Sequence, residues 1–324
     1  MQHEFIENKL GKGTQMIRNT QNARAGFTRR QLLLAMSAFS ATAALGLSLD
    51  VKAMDQATAV SPPWPLWLIE KDGRQVYLMG QTPPRNLAWQ DSRIEALVKT
   101  CGAIWTETNQ IRRKNPKELV LKYGLDQKTP LAERLNESDM QRLKQALDLV
   151  KMPIEAIANM RPWLAAFTIE SSYFAAMKLV EDGTAERVLL RNAKERNIVH
   201  SSEFPAQDDV IQFMGEMSEP EDLQFLQYTL INILRGMAES ERIYAAWARG
   251  DSTPADRLVL QLKHMQADFY AKHVVTRNRN WLPRFAAMRA EAKPTLVIVG
   301  LYHMAGPDSL LTQLKDDGWH VQAI

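Results

Sequence analysis

The stretch Thr295–Pro307, TLVIVGLYHMAGP, decides how the end of this chain folds. Its apolar run Leu296–Val299 has the length of a buried strand, and Gly300 follows at once. A glycine at the end of a strand permits a sharp turn or the close approach of a ligand. His303 comes three positions later, so the sequence predicts an imidazole just beyond the carboxyl end of a strand.

The beginning of the domain also has the pattern of a sheet. Residues Leu66–Glu70 and Gln75–Gly80 flank the turn Asp72-Gly73, which predicts a β-hairpin. A helix at about Asp91–Thr100 and a buried strand at Ala103–Glu107 follow. A strand, a helix and a strand in such close succession indicate a parallel crossover.

The middle of the chain is predicted to be mainly helical, with a short strand at Ile198-Val199. Capping boxes at Ser138/Gln141 and Ser218/Glu221 predict two helix starts. The predicted helices are Met140–Val150, 162–179, 185–196, 219–235 and 239–249, a later one that carries both His264 and His273, and one near Pro307 before a last strand around Val321. We therefore predict an α/β fold: a mixed, partly parallel central sheet from the N- and C-terminal segments, with a largely helical middle layer inserted at about residues 110–290.

The N-terminal segment is predicted to be a twin-arginine signal peptide. Residues 28–34 read TRRQLLL, an apolar stretch continues to Leu49, and Val51-Lys52-Ala53 is a small-x-Ala cleavage pattern. We expect residues 1–53 to be removed after about Ala53 and the protein to be periplasmic, without a stable membrane anchor. The alternative is a membrane anchor through residues 31–49, which are just long enough to span a bilayer.

Charge and cysteine content restrict the possible functions of the remaining chain. The predicted signal carries seven Lys/Arg and three Asp/Glu, which leaves 33 basic and 34 acidic residues, so no basic surface supports a nucleic-acid partner. Cys101 is the single cysteine, so no internal disulfide can form. Residues 54–65 are predicted to be a flexible lead-in, and translation could start at Met1 or Met16.

Two candidate site residues follow predicted strands. Glu107 ends the strand that begins at Ala103, and His303 follows the strand Leu296–Val299. Ligands of open α/β sheets bind beyond the carboxyl ends of the strands, so we expect Glu107 and His303 to face one cleft. Each residue alone also has a purely structural interpretation. Glu107 could be a solvated or capping glutamate, and His303 could be a surface or hydrogen-bonded structural histidine.

Seven segments, in this order and spacing, resemble the TraB/GumN family, which is related to the Tiki metalloproteases and more distantly to the erythromycin esterases. The resemblance runs from about Leu66 to Ile324. The segments are PLWLIEKDGRQVYLMGQT, AIWTET, RPWLAAF, IVHSSEFPAQ, AAWARGD, TRNRNWLPRF and TLVIVGLYHMAGPDSLLTQLKDDGWHVQAI.

The resemblance implies a hydrolase that cleaves peptide or ester bonds of a peptide or small-molecule substrate by activated water. It implies that Glu107 and His303 are catalytic and ligate a divalent metal such as Mn, Co or Zn. The residues that it implies for substrate binding are Arg277, Asn278, Gly80 and Gly300.

One position departs from the family pattern. Pro83 stands where the family has its first Gly-x-x-His histidine, and Glu203 is the only further candidate ligand that we identify. Catalytic zinc usually has three protein ligands. Three hypotheses therefore remain: a hydrolase, with metal or with His303 as a metal-free general base and Arg277 at the oxyanion; an inactive ligand- or partner-binding protein on the same scaffold; and a structural, envelope-assembly protein.

Overall fold

The computed structural model describes residues 64–109, 116–179, 181–288 and 291–324. The predicted signal peptide and most of the predicted lead-in lie outside these residues. Trp64, near the end of that lead-in, is buried. Its backbone N–H donates to Asp91 Oδ2 at 2.8 Å, and its indole Nε1 donates to the carbonyl of Gly80 at 2.9 Å. Trp64 therefore packs into the domain.

A six-stranded sheet forms the centre of the domain, in the order β4-β3-β5-β2-β1-β6. Strand β5 pairs in parallel with β2 and β3, and β4 pairs in parallel with β3. Only β1 runs against its neighbours, β2 and β6. The predicted mixed, partly parallel sheet is confirmed. The strands are β1 Leu66–Lys71, β2 Arg74–Gln81, β3 Ala103–Thr108, β4 Val199–Phe204, β5 Thr295–Gly300 and β6 His320–Ala323.

The sequence explains the two features that build this sheet. Residues Thr295–Val299 of β5 are all buried, as expected for a central parallel strand that is covered on both faces. Asp72 and Gly73, between β1 and β2, both have positive φ angles, 54° and 73°. Two successive residues of this kind form the type I′ turn that favours a tight hairpin.

Helices account for most of the remaining chain. Among the described residues, no helix is both long and apolar enough to span a bilayer. A π-helical segment, Ala271–Thr276, joins the helices Ala267–Tyr270 and Arg277–Met288. The helices are α1 Ser92–Val98, α2 Pro116–Tyr123, α3 Glu137–Val150, α4 Pro162–Ala176, α5 Ala185–Glu195, α6 Gln207–Gly215, α7 Glu219–Arg235, α8 Met237–Ala248, α9 Thr253–Met265, α10 Ala267–Tyr270, α11 Arg277–Met288, α12 Leu301–Met304 and α13 Leu310–Asp316.

Of the two predicted capping boxes, one is confirmed and one is wrong. Helix α7 starts as predicted, and the backbone N–H of Ser218 donates to Glu221 Oε2 at 2.7 Å. Helix α3 starts earlier than the Ser138 pattern predicts, because Asn136 caps it. The Asn136 side chain accepts from the backbone N–H of Asp139 at 2.8 Å, as a preferred N-cap residue does.

Three other predictions of local structure are corrected. Strand β4 spans Val199–Phe204, longer than the predicted pair, because it pairs along β3. The helix predicted to carry both His264 and His273 is interrupted at Gln266, whose φ and ψ of −130° and 59° are not helical. The helix predicted near Pro307 begins at Leu310 instead, where Ser309 caps it.

Gly80, at the end of β2, is enclosed by tryptophan side chains. Its carbonyl accepts hydrogen bonds from Nε1 of Trp64 and from Nε1 of Trp247, at 2.9 and 3.0 Å. A Cβ atom at this position would lie 2.5 Å from the Trp247 ring and 2.9 Å from the Met304 side chain. Close packing therefore requires glycine here.

We predict that Gly80→Ala lowers the free energy of unfolding by about 1–3 kcal/mol, the usual cost of overpacking a core. Chemical denaturation with unchanged m-value would measure this loss. Because the contact is with the six-membered ring of Trp247, Trp247→Phe should relieve part of it, and the double variant should lose less than the sum of the single changes. A Gly80→Ala protein as stable as the parent would contradict this account.

Candidate functional site

The carboxyl ends of β3, β4 and β5 bring three titratable side chains together. Glu107 lies near the end of β3, Glu203 near the end of β4, and His303 in α12, directly after β5. The first turn of α11 brings Arg277 and Asn278 to the same edge of the sheet. The predicted juxtaposition of Glu107 and His303 is present, with Glu107 Oε2 lying 3.5 Å from His303 Nε2.

Arg277 forms ion pairs with both glutamates. Its Nη2 lies 2.6 Å from Glu107 Oε2 and 2.5 Å from Glu203 Oε2, and its Nε donates to Glu203 Oε2 at 3.0 Å. Its Nη1 faces His303 Nε2 at 3.3 Å. Burial alone would lower the pKa of Arg277, but the two carboxylates outweigh burial and raise it. The guanidinium therefore remains charged at the centre of the cluster.

Glu107 is held as an anion. Its Oε1 accepts the backbone N–H of Gly300 at 2.6 Å, and its Oε2 accepts from Arg277. Burial would raise the pKa of Glu107, but Arg277, His303 and the Gly300 N–H together hold it well below its usual range. Glu107 can stabilise positive charge nearby, but it cannot donate or accept protons near neutral pH.

Asn278 fixes the orientation and the tautomer of His303. The Asn278 Nδ2 donates to the backbone carbonyls of His303 and Asp308, at 3.4 and 3.0 Å, so its Oδ1 faces the imidazole. The distance from His303 Nδ1 to this Oδ1 is 2.7 Å. Since an amide oxygen can only accept, Nδ1 carries the proton, and the lone pair lies on Nε2, toward Arg277 and Glu107.

Aromatic rings surround the cluster and exclude water from most of it. The Trp281 ring packs against His303 with 4.6 Å between centroids, and Arg277 lies over the rings of Trp281 and Phe204 at 5.1 and 5.5 Å. The His303 side chain keeps 7% of its surface exposed, and that of Glu107 keeps 19%. In so dry an environment, charges interact more strongly than they do in water.

A cavity of about 310 Å³ adjoins this cluster at Gly300. Gly300 both lines the cavity and donates to Glu107, so the glycine separates the cavity from the charged cluster. The other wall residues include Pro83, Glu186 and Arg187. We call this space the strand-end cavity.

Glu186, in the first turn of α5, is the titratable group of the strand-end cavity. Its Oε2 accepts from Gln81 Nε2 at 2.6 Å. Burial raises its pKa to about 7, and the negative charge of Glu107 contributes in the same direction against the lowering effects of Gln81 and Arg187. Glu186 can therefore carry a proton near neutral pH, as Glu107 cannot.

Arg187 supplies a cationic group to the same cavity. Its Nη2 is buried and has no hydrogen-bond partner among the described residues. A guanidinium at the cavity wall attracts an anionic or carbonyl oxygen and can offer it hydrogen bonds.

Two residues predicted to bind substrate have other contacts. Asn278 is fully buried, and the hydrogen bonds described above hold His303 in place, so it acts as a positioning residue. Gly80 is enclosed by Trp247 and Met304, which leaves no room for a substrate beside it. Of the predicted substrate-binding residues, Gly300 lines the strand-end cavity, and Arg277 is held by Glu107 and Glu203.

The predicted metal ligands do not fit a divalent metal. Glu107 offers its oxygens to Arg277 and Gly300, Glu203 is paired with Arg277, and Nε2 of His303 faces the same guanidinium. Within the described part of the chain, no group of three or more His, Cys, Asp or Glu side chains is arranged to hold a metal ion. The cation of this cluster is a guanidinium, and Pro83 contributes no donor atom.

Sequence reasoning missed Glu186 and Arg187. They begin a predicted helix of ordinary composition, and only the packing of α5 beside the ends of β2 and β5 brings them to the cavity. The one available indication was local: Thr184 caps this helix, so Glu186 occupies its first turn, near a strand end. Glu203 was considered only as a possible metal ligand, and the structure pairs it with Arg277.

Comparison with known proteins gives one match. Neither the curated proteins nor the solved structures yielded a similar chain. A scan against protein families matches residues 65–323, nearly all of the described domain, to the TraB/PrgY/gumN family. The matched segment contains every strand and helix described above, together with Glu107, Arg277 and His303, and the chain therefore belongs to the TraB/PrgY/gumN family.

Proposed function

We propose that this protein hydrolyses a peptide or ester bond without a metal ion, with His303 as the general base. The observation that carries the proposal is the fixed tautomer of His303, whose Nε2 lone pair lies 3.5 Å from the permanent anion Glu107. The carboxylate stabilises the imidazolium that forms when water loses its proton. Arg277 Nη1, which faces Nε2 at 3.3 Å, opposes that charge, so the proposed step requires water to take the place of Nη1 at Nε2. The twin-arginine pattern at Arg29-Arg30 supports action in the periplasm.

The proposed steps require a substrate that lies in the strand-end cavity, between Glu186 and Arg187, and reaches past Gly300 to His303. Nε2 of His303 takes a proton from water as the water oxygen bonds to the substrate carbonyl carbon. The charge that develops on the carbonyl oxygen is stabilised by the guanidinium of Arg187, a wall residue of the strand-end cavity. When the carbon–heteroatom bond breaks, Glu186 gives its proton to the leaving group, and the proton on His303 then returns Glu186 to its starting state through solvent.

Pro83 favours a second candidate function, ligand binding without catalysis. The proline forms part of the strand-end cavity wall at the position where the family has a histidine, and Arg277 already neutralises the neighbouring carboxylates. A protein of this kind would keep the cavity and lose turnover. Hydrolysis by the purified protein decides between the two candidates.

We predict that His303→Ala and Glu107→Gln each reduce hydrolysis by about 10²–10⁴-fold, the usual contribution of general-base catalysis. The assay measures kcat/KM of the purified protein on a panel of small esters and peptides. His264→Ala, which removes an exposed imidazole from α9, is the matched control and should keep full activity. Activity that survives both changes would rule out the proposed roles.

The titration of Glu186 should determine how activity declines at alkaline pH. Because its raised pKa of about 7 keeps it protonated below that value, activity that needs its proton should fall as the pH rises through about 7. Glu186→Gln should lower kcat by about 10²-fold or more and abolish this alkaline decline. An unchanged decline in the Gln variant would show that another group titrates.

Elemental analysis of the natural protein tests whether it binds a metal ion, which the proposed mechanism does not use. We expect clearly less than one divalent metal ion per chain after purification without chelators, because Arg277 occupies the carboxylate oxygens that a metal would need. Activity should also survive dialysis against EDTA. One tightly held metal ion per chain, with activity lost on chelation, would refute the metal-free mechanism.

A further inference from the structure

A second cavity, of about 100 Å³, lies among α4, α7 and α8. It shares Pro83, Pro84 and Tyr302 with the strand-end cavity, so the two spaces are neighbours separated by these residues. None of the proposed catalytic steps uses it. We call it the tyrosine cavity because four of its wall residues are Tyr173, Tyr228, Tyr244 and Tyr302.

Glu170 of α4 is the unusual group of the tyrosine cavity. The structure gives its carboxylate no hydrogen bond and no ion pair with any described residue, although it lies among apolar and aromatic side chains. Burial raises the pKa of Glu170 to about 7, with no compensating positive charge. The other acid of the wall, Glu241, is already paired with Arg85.

The aromatic walls suit a cation as well. The rings of Tyr228 and Tyr302 meet edge to face, 5.9 Å apart. Burial raises the pKa of these two hydroxyls and of Tyr244, so all three stay neutral and can accept hydrogen bonds. The Tyr228 hydroxyl is buried and lies beside the Tyr302 hydroxyl and the Asn232 side chain. The π-faces of such rings attract an organic cation.

We propose that the tyrosine cavity binds a primary ammonium group on a short aliphatic chain, such as the end of a lysine or another diamino-acid side chain. The ammonium would pair with Glu170 and donate to the tyrosine hydroxyls, while the methylene groups would pack against the rings. Its role as a specificity site for the hydrolysed substrate rests on the proposed function, but the binding itself does not.

Size and charge both select this class of ligand. A volume of about 100 Å³ accommodates a four-carbon amine and excludes a larger ring system. A half-buried carboxylate without a partner is unfavourable, and an ammonium group would pair with it, whereas an alcohol of the same length would leave the charge unpaired. An anionic ligand would add repulsion from Glu170.

Calorimetric titration of the full chain with n-butylamine at pH 8 tests the proposal, and n-butanol serves as the neutral probe of the same length. We expect the amine to bind at least about tenfold more tightly than the alcohol. Glu170→Gln, which keeps the shape and removes the charge, should abolish this difference. Glu239→Gln is the matched control, because Glu239 is an acid of α8 that pairs with Arg242 outside the cavity.

The same variant distinguishes a loss of amine binding from a loss of folding, and the binding proposal from the proposed hydrolysis. Glu170→Gln should melt at the same temperature as the parent or higher at pH 8, because above a pKa of about 7 the parent carries an ionised, half-buried carboxylate without a partner. Equal binding of amine and alcohol, or an amine affinity unchanged in Glu170→Gln, would overturn the proposal. If amine binding is confirmed and no ester or peptide is hydrolysed, the proposed function fails and the binding site stands.

Discussion

The ion pairs of Arg277 with Glu107 and Glu203 are the interaction on which the site depends. Two carboxylates at the ends of neighbouring strands would repel each other, and both would be costly to desolvate. The guanidinium offers hydrogen bonds to both at once and leaves Nη1 facing His303. It thereby joins β3, β4, α11 and the turn after β5 into one rigid edge.

Features that follow from a local pattern or from the ends of parallel strands could be predicted from the sequence, whereas features that depend on helix packing could not. Strand β5 was predictable because burial on both faces demands a continuous apolar run. The meeting of Glu107 with His303 was predictable because carboxyl ends of parallel strands share one edge of a sheet. Glu186 was not, because its position depends on how α5 packs, and no local pattern encodes that packing. Asn136 was missed for a simpler reason: Ser138, a residue of similar capping ability, stood two positions away.

Glutamates in this domain have three different environments. Glu107 is surrounded by positive and donor groups and stays ionised, whereas Glu186 and Glu170 are buried with little or no compensation. Pro83 lies between the two cavities that contain the latter pair. The proline forms an apolar wall that the two cavities share.

The π-helical segment Ala271–Thr276 directly precedes Arg277. A π turn accommodates one more residue than an α turn, and such turns commonly arise as local insertions in an ordinary helix. Each residue of an α-helix turns the chain by about 100°. Loss of a single codon within this segment would therefore rotate Arg277 away from both glutamates while the flanking helices stayed intact. The insertion or deletion of one residue in this helical turn is therefore enough to form or to destroy the charged cluster.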